Sequence, residues 1–237
     1  MKSKRKVSNR GDRMQEKFTD YLLRSGKEYW ERYLQHPFVQ GIGDGTLDTA
    51  SFRYYMCQDY VYLIDYAKLY AYGVIKARDL HTMELFSTVT EGLLHTEMEL
   101  HRQYAARFGI TREELEQTEP APMNLAYTKY MLSVAQTGSL AELVACLLPC
   151  IWGYAHIGKR LAEAGLPESQ PLYHDWIRMY ASEEMDEMAS QMASLMDELA
   201  AGISVAERKV LEKHFIITTK FEYMFWEMAY HQQVWPI

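Results

Sequence analysis

From about residue 12 to residue 233, apolar side chains recur at intervals of three and four, the period of an α-helix, and no stretch alternates as a strand would. A chain patterned this way can bury its apolar stripes only helix against helix. The turns between the periodic segments are short, no Pro/Gly/Ser-rich linker divides them, and no internal repeat appears. The predicted fold class is therefore all-α, a single helical bundle. Helices are expected over Asp12–Gln35, from an Asp48 cap to Ala77, from Asp79 to Gly109, and over Asn124–Gln136, Leu140–Ala164, Pro171–Ala181, Glu183–Ala200 and Ser204–Gln233. A Thr111/Glu114 capping box opens a short piece before "EPAP", and Ser182 caps the helix that starts at Glu183. The stretch "HPFVQGIGDGTL", with a proline and three glycines, is expected to be a loop.

The formal net charge is −7, which argues against a surface built for phosphate backbones. The exception is residues 1–12, expected to be a basic, disordered tail preceding a single domain over 13–237. That tail lacks the apolar segment of a secretory signal. No run of about 18 apolar residues stands out as a membrane span. Cys57, Cys146 and Cys150 are an odd set without a signal, fitting reduced thiols and a cytoplasmic location. Cys146 and Cys150 lie one helical turn apart, a poor geometry for a disulfide. Neither nucleic acid nor membrane is expected as a partner.

Three helices carry polar groups inside their apolar stripes. In "MCQDYVYLIDYAKLYAYG", Tyr55, Asp59, Tyr62, Tyr66 and Tyr70 share one narrow face, at about 100° per residue. In the last helix, Glu222 is central among Leu211, Phe215, Thr219, Phe225, Trp226 and Ala229. In "LLPCIWGYAHIG", Cys150 is central among Leu143, Cys146, Tyr154, Ile157 and Leu161, directly after Pro149, which usually kinks a helix. A cysteine is at home in a core. A carboxylate there must be paired, satisfied by hydroxyls or a backbone end, or functional. If the faces converge, the thiolate is a nucleophile, a carboxyl relays protons, and tyrosine faces sandwich a flat, nitrogen-rich ring. His156 lies about 120° from Cys150 on its own helix, so activation of the thiol must come from elsewhere.

Metal chemistry is poorly supported. A di-iron bundle wants two Glu-x-x-His motifs, and none is present. The nearest candidates, in "EGLLHTEMELH", are Glu91/His95 and Glu97/His101, both spaced i, i+4. Whether His95 or His101 reaches the site is open.

At these residues the chain resembles the TenA (thiaminase II) family, whose fold is haem-oxygenase-like. The resemblance runs from about Phe18 to Pro236, carried by "HPFVQGIGDGTL", "YMCQDYVYLIDY", "LLPCIWGYAHIG", "YASEE" and "KFEYMFWEMAY". The intact "PC" places it with the cysteine-containing branch. The resemblance implies hydrolysis of thiamine and its breakdown products in thiamine salvage, above all 4-amino-5-aminomethyl-2-methylpyrimidine, to the 5-hydroxymethyl pyrimidine. By the same motifs, Cys150 is the expected nucleophile toward ring carbon C6. Asp59 holds the ring nitrogen and amino group, and Glu222 is the acid/base at the leaving amine and at water. Tyr62, Tyr127, Tyr154, Tyr180 and Phe225 line the ring pocket. Tyr130 competes with Tyr127 for its place, and Tyr173 with Tyr180. No metal or organic cofactor is implied, and family members are typically homotetramers. The competing readings are another haem-oxygenase-like branch using metal or haem, and a non-catalytic regulatory bundle in which Asp59 and Glu222 only specify packing.

Overall fold

The computed structural model describes residues 16–236, and every regular element among them is helical. The expected basic tail, and the start predicted for the first helix, lie outside the described residues. The N-terminal helix is two pieces, α1 (Phe18–Ser25) and α2 (Lys27–Gln35), because Gly26 ends the first and opens the second. Trp30 and Phe215 pack where a Cβ at Gly26 would stand.

The predicted loop at "HPFVQGIGDGTL" is instead mostly helix, α3 (Pro37–Asp44). His36 is its N-cap, with Nδ1 accepting from the Phe38 N–H at 3.1 Å, and Pro37 occupies the first turn, where its missing N–H costs nothing. Phe38, Val39 and Ile42 are buried, and the helix ends at Gly45, whose φ of 77° suits only glycine well. In the sequence the glycines read as loop punctuation, whereas tertiary burial of the apolar residues between them holds a helix.

The long helix α4 (Thr49–Lys76) begins at Asp48, which occupies the cap position without a side-chain capping bond. The next predicted helix is split into α5 (Leu80–Glu91), a π-helical segment over Gly92–Glu97, and α6 (Met98–Arg107). Asp79 does cap α5, accepting from the Thr82 N–H at 2.8 Å. The Thr111/Glu114 capping box opens α7 (Arg112–Gln117) as expected. Then come α8 (Pro122–Thr137), α9 (Leu140–Ala164), a 3₁₀ turn (Pro171–Tyr173), α10 (His174–Tyr180), α11 (Glu183–Leu199), capped by Ser182, and α12 (Val205–Tyr230).

Helix α9 is the spine of the bundle, packed against α8, α10, α11 and α12, and it runs unbroken through Pro149. It is long and apolar enough to cross a membrane, but most of its apolar stretch is buried inside the bundle, as in a core helix. Helix α4 packs on α8 and α12 across from it. The α4–α8 contact is keyed by a buried amide pair. Asn124 Nδ2 donates to the Gln58 carbonyl at 2.8 Å and to its Oε1 at 3.0 Å, while the Ala121 N–H donates to the same Oε1 at 2.9 Å. This pins the start of α8 beside Asp59. Helix α10 sits directly on α9 at Gly158, where a Cβ would stand 2.4 Å from the Tyr180 carbonyl carbon.

Candidate active site

The three stripes that carry misplaced polar groups face one another. Asp59 and Glu222 are 6% and 3% exposed. Cys150 is half-buried and Cys146 fully buried. Asp59, Tyr62, Tyr127, Tyr154, Glu222 and Phe225 together enclose a narrow inner chamber, too tight in this conformation to admit a water molecule. Tyr62 packs on Tyr127 with ring centroids 5.4 Å apart, and its face meets the edge of Phe225 at 5.7 Å. Tyr154 packs on Tyr180 at 4.5 Å. The Tyr55 hydroxyl bonds that of Tyr154 at 3.1 Å and accepts from Trp176 Nε1 at 3.3 Å.

Every predicted pocket residue is thus placed in or beside one aromatic chamber, and the two pairs of competing tyrosines differ in what they touch. Tyr127 donates its hydroxyl to Glu222 Oε1 at 2.6 Å, whereas Tyr130 hydrogen-bonds His214 Nδ1 at 2.8 Å, nearer the start of α12. Tyr180 packs on Tyr154 behind the chamber, whereas Tyr173 donates to the Leu47 carbonyl at 2.9 Å, in a cluster with Phe52 and Phe108.

The electrostatics assign resting protonation states. Burial raises the Cys150 thiol well above its ordinary range, and the nearby Glu222 charge raises it further, so the thiol keeps its proton. The Tyr62 and Tyr66 hydroxyls pull it downward without closing a hydrogen bond of ordinary geometry; both are buried donors with no partner among the described residues. Burial lifts Glu222 to about 7, opposed by hydrogen bonds from Tyr127 and from the Cys150 thiol. Among the described residues no histidine hydrogen-bonds Cys150; the thiol is hydrogen-bonded to Glu222. Asp59 is raised well above the carboxylate range, by burial first and then by the charges of Glu97 and Glu222.

Two residues left open or unassigned in the sequence stand at Asp59. His101 Nε2–H donates to the Met56 carbonyl at 2.8 Å, which fixes the tautomer, and burial lowers this histidine to about 4. Its Nδ1 lone pair faces Asp59 Oδ2 at 3.7 Å, an arrangement that suits a carboxyl holding its proton rather than an ion pair. Glu97, raised to about 7 by burial, is the other. The only sequence signal for them is the i, i+4 spacing, and it points to a metal; among the described residues no three His, Cys, Asp or Glu groups cluster as a metal site. Asp59 also borders a second, outer cavity of about 370 Å³, lined by Glu97, His101, Leu100, Trp176, Met179 and Tyr180 among others.

The TENA/THI-4/PQQC family model matches residues 23–232. An aminopyrimidine aminohydrolase from Halalkalibacterium halodurans is 48% identical, covering 92% of this chain and 97% of its own. A solved TenA homologue from P. horikoshii superposes with a TM-score of 0.84 at 29% identity, over 91% of this chain and 99% of that one. A domain of unknown function from Shewanella denitrificans, described as having a heme oxygenase-like fold, superposes with a TM-score of 0.72 at 16% identity, over 90% and 92% of the two chains. That last likeness is one of fold alone.

Proposed function

The chain belongs to the TENA/THI-4/PQQC family, and from that premise we propose that it is an aminopyrimidine aminohydrolase of thiamine salvage. Its substrates are 4-amino-5-aminomethyl-2-methylpyrimidine and thiamine, and its product is the 5-hydroxymethyl pyrimidine. The observation that carries this reading is the convergence of Asp59 and Glu222 on one tyrosine-lined chamber, with the Cys150 thiol hydrogen-bonded to Glu222.

The resting protonation states run the chemistry without outside help. Ionised Glu222 takes the Cys150 proton, and the thiolate adds to C6 of the pyrimidine while protonated Asp59 gives its proton to a ring nitrogen. The ring electrons, backed by the 4-amino group, then break the bond from the C5 methylene to its leaving nitrogen. Glu222 returns its proton to that nitrogen as ammonia departs; a thiazolium leaves as the neutral thiazole without it, and Glu222 then releases the proton to solvent. Water adds to the methylene, losing a proton to Glu222. Asp59 recovers its proton from the ring, the C6–sulfur bond breaks, and Glu222 reprotonates the thiolate. Tyr62 and Tyr66, whose hydroxyls point toward the sulfur, stabilise the thiolate when it forms. Tyr127 holds the Glu222 carboxylate in line. Tyr154, Tyr180 and Phe225 confine the ring.

No metal or organic cofactor enters this scheme. A homotetramer in the cytoplasm completes the proposal; Leu94, Leu100 and Met179, all large and more than 40% exposed, offer apolar surface near the outer cavity for such an assembly.

The test is steady-state hydrolysis of aminomethylpyrimidine and thiamine by the wild type and by Cys150→Ala. Turnover of either substrate that is lost in the variant is the expected result. A wild type inactive on both, or a Cys150→Ala variant at near-normal rate, refutes the reading.

A further inference from the structure

We propose that the outer cavity is the leaving-group pocket and that Glu97 makes it selective for a bulky organic cation, the class to which a thiazolium belongs. The inference rests on the hydrolase reading above and concerns the side of the substrate that the inner chamber does not grip.

Size is the first argument. The inner chamber is closed in this conformation, and Asp59 is the shared wall between it and the outer cavity of about 370 Å³. Ammonia, the leaving group of aminomethylpyrimidine, is a single heavy atom released beside Glu222 and needs no such space. A five-membered heterocycle on the same methylene does.

Charge is the second. Met56, Leu100, Trp176, Met179 and Tyr180 give the cavity an apolar and aromatic wall. His101 is neutral there, and at the rim Arg107 is paired with Asp175. Glu97 alone lacks a compensating partner: among the described residues it makes no hydrogen bond and no ion pair. Its charge is felt at Asp59. An unpartnered acid within an aromatic wall is the chemistry that receives an organic cation, through charge and through the ring faces together.

Backbone register is the third. Glu97 ends the π-helical segment Gly92–Glu97 that separates α5 from α6. A π turn carries one more residue than an α turn and rotates the residues beyond it; such insertions recur at functional sites. Here it leaves Glu97 and His101, four residues apart, both lining the cavity.

The experiment is a KM and kcat comparison of wild type and Glu97→Gln on thiamine and on aminomethylpyrimidine. Because the Glu97 charge also acts on Asp59, any kcat change is shared by both substrates, and the readout is the KM ratio: KM for thiamine is expected to rise about tenfold relative to KM for aminomethylpyrimidine. Equal loss on both substrates, or no change on either, overturns the proposal. A second measurement needs no variant: N-methyl-4-methylthiazolium should inhibit hydrolysis of aminomethylpyrimidine by the wild type about tenfold better than neutral 4-methylthiazole, and equal inhibition refutes the cation site even if thiamine is not turned over. A wild type inactive on both substrates would sink the hydrolase reading itself, an outcome distinct from either of these.

Discussion

The Tyr127 hydroxyl donates to Glu222 Oε1 at 2.6 Å, joining α8 to α12 across the middle of the bundle. This bond opposes the burial that lifts Glu222 to about 7, and in the proposed mechanism it bears on the pH at which Glu222 is free to take the Cys150 proton.

Removing it with Tyr127→Phe should therefore raise the Glu222 pKa further and move the acid limb of the kcat/KM profile to higher pH. At pH 7 the rate should fall about tenfold. Tyr130→Phe, which loses only a bond to His214, should leave the profile in place. A pH–rate series on the two variants separates the roles of these neighbouring tyrosines, and an unshifted limb in Tyr127→Phe would show that Glu222 is not the base.

Asp59→Asn keeps a donor and an acceptor toward the ring but cannot transfer the proton. We expect kcat to drop by about a hundredfold or more, with KM changed much less. The readout is the split between the two constants. A large rise in KM with unchanged kcat would make Asp59 a binding group only.

Stability should carry the mark of Glu222. Its folded-state pKa, about 7, lies above the ordinary 4.5, so between those values the folded protein binds more protons than the unfolded chain. Stability contributed by the protonated acid is full below pH 4.5 and declines as pH rises through about 7. Glu222→Gln abolishes that dependence, and at pH 8 its Tm should exceed that of the wild type by about 5 °C. Buried Asp59 acts in the same direction. Thermal melts at pH 5 and pH 8 measure both slopes.

Gly158→Ala would place a methyl group 2.4 Å from the Tyr180 carbonyl carbon and push α10 off α9. A loss of about 1–3 kcal/mol in stability is expected from overpacking. Because Tyr180 stacks on Tyr154 at 4.5 Å, KM should rise alongside. A variant with normal Tm and KM would show that the contact is slack.

Much of this site is legible in the sequence because an amphipathic helix exposes its own exceptions. Asp59, Glu222 and Cys150 stand in apolar stripes whose period of 3.6 residues is a local property, and each is found on the inward face that period assigns it. The helix starts at Asp79, Thr111, Ser182 and Ser204 are equally local, resting on side chains that bond the N–H groups of their own first turn. Where local signals are ambiguous, tertiary structure decides. Glycines at 41, 43 and 45 signal a loop, yet Phe38 and Ile42, buried completely, hold the segment as α3. The π-helical register that brings Glu97 and His101 to Asp59 has no counterpart in the hydrophobic pattern. Above all, that Glu222 meets Tyr127, 95 residues away, depends on how α8 and α12 pack in three dimensions. Periodicity orients a side chain about its own helix axis; only the packing of helices distant in sequence determines which side chains meet, and with them the pKa values that make the site reactive.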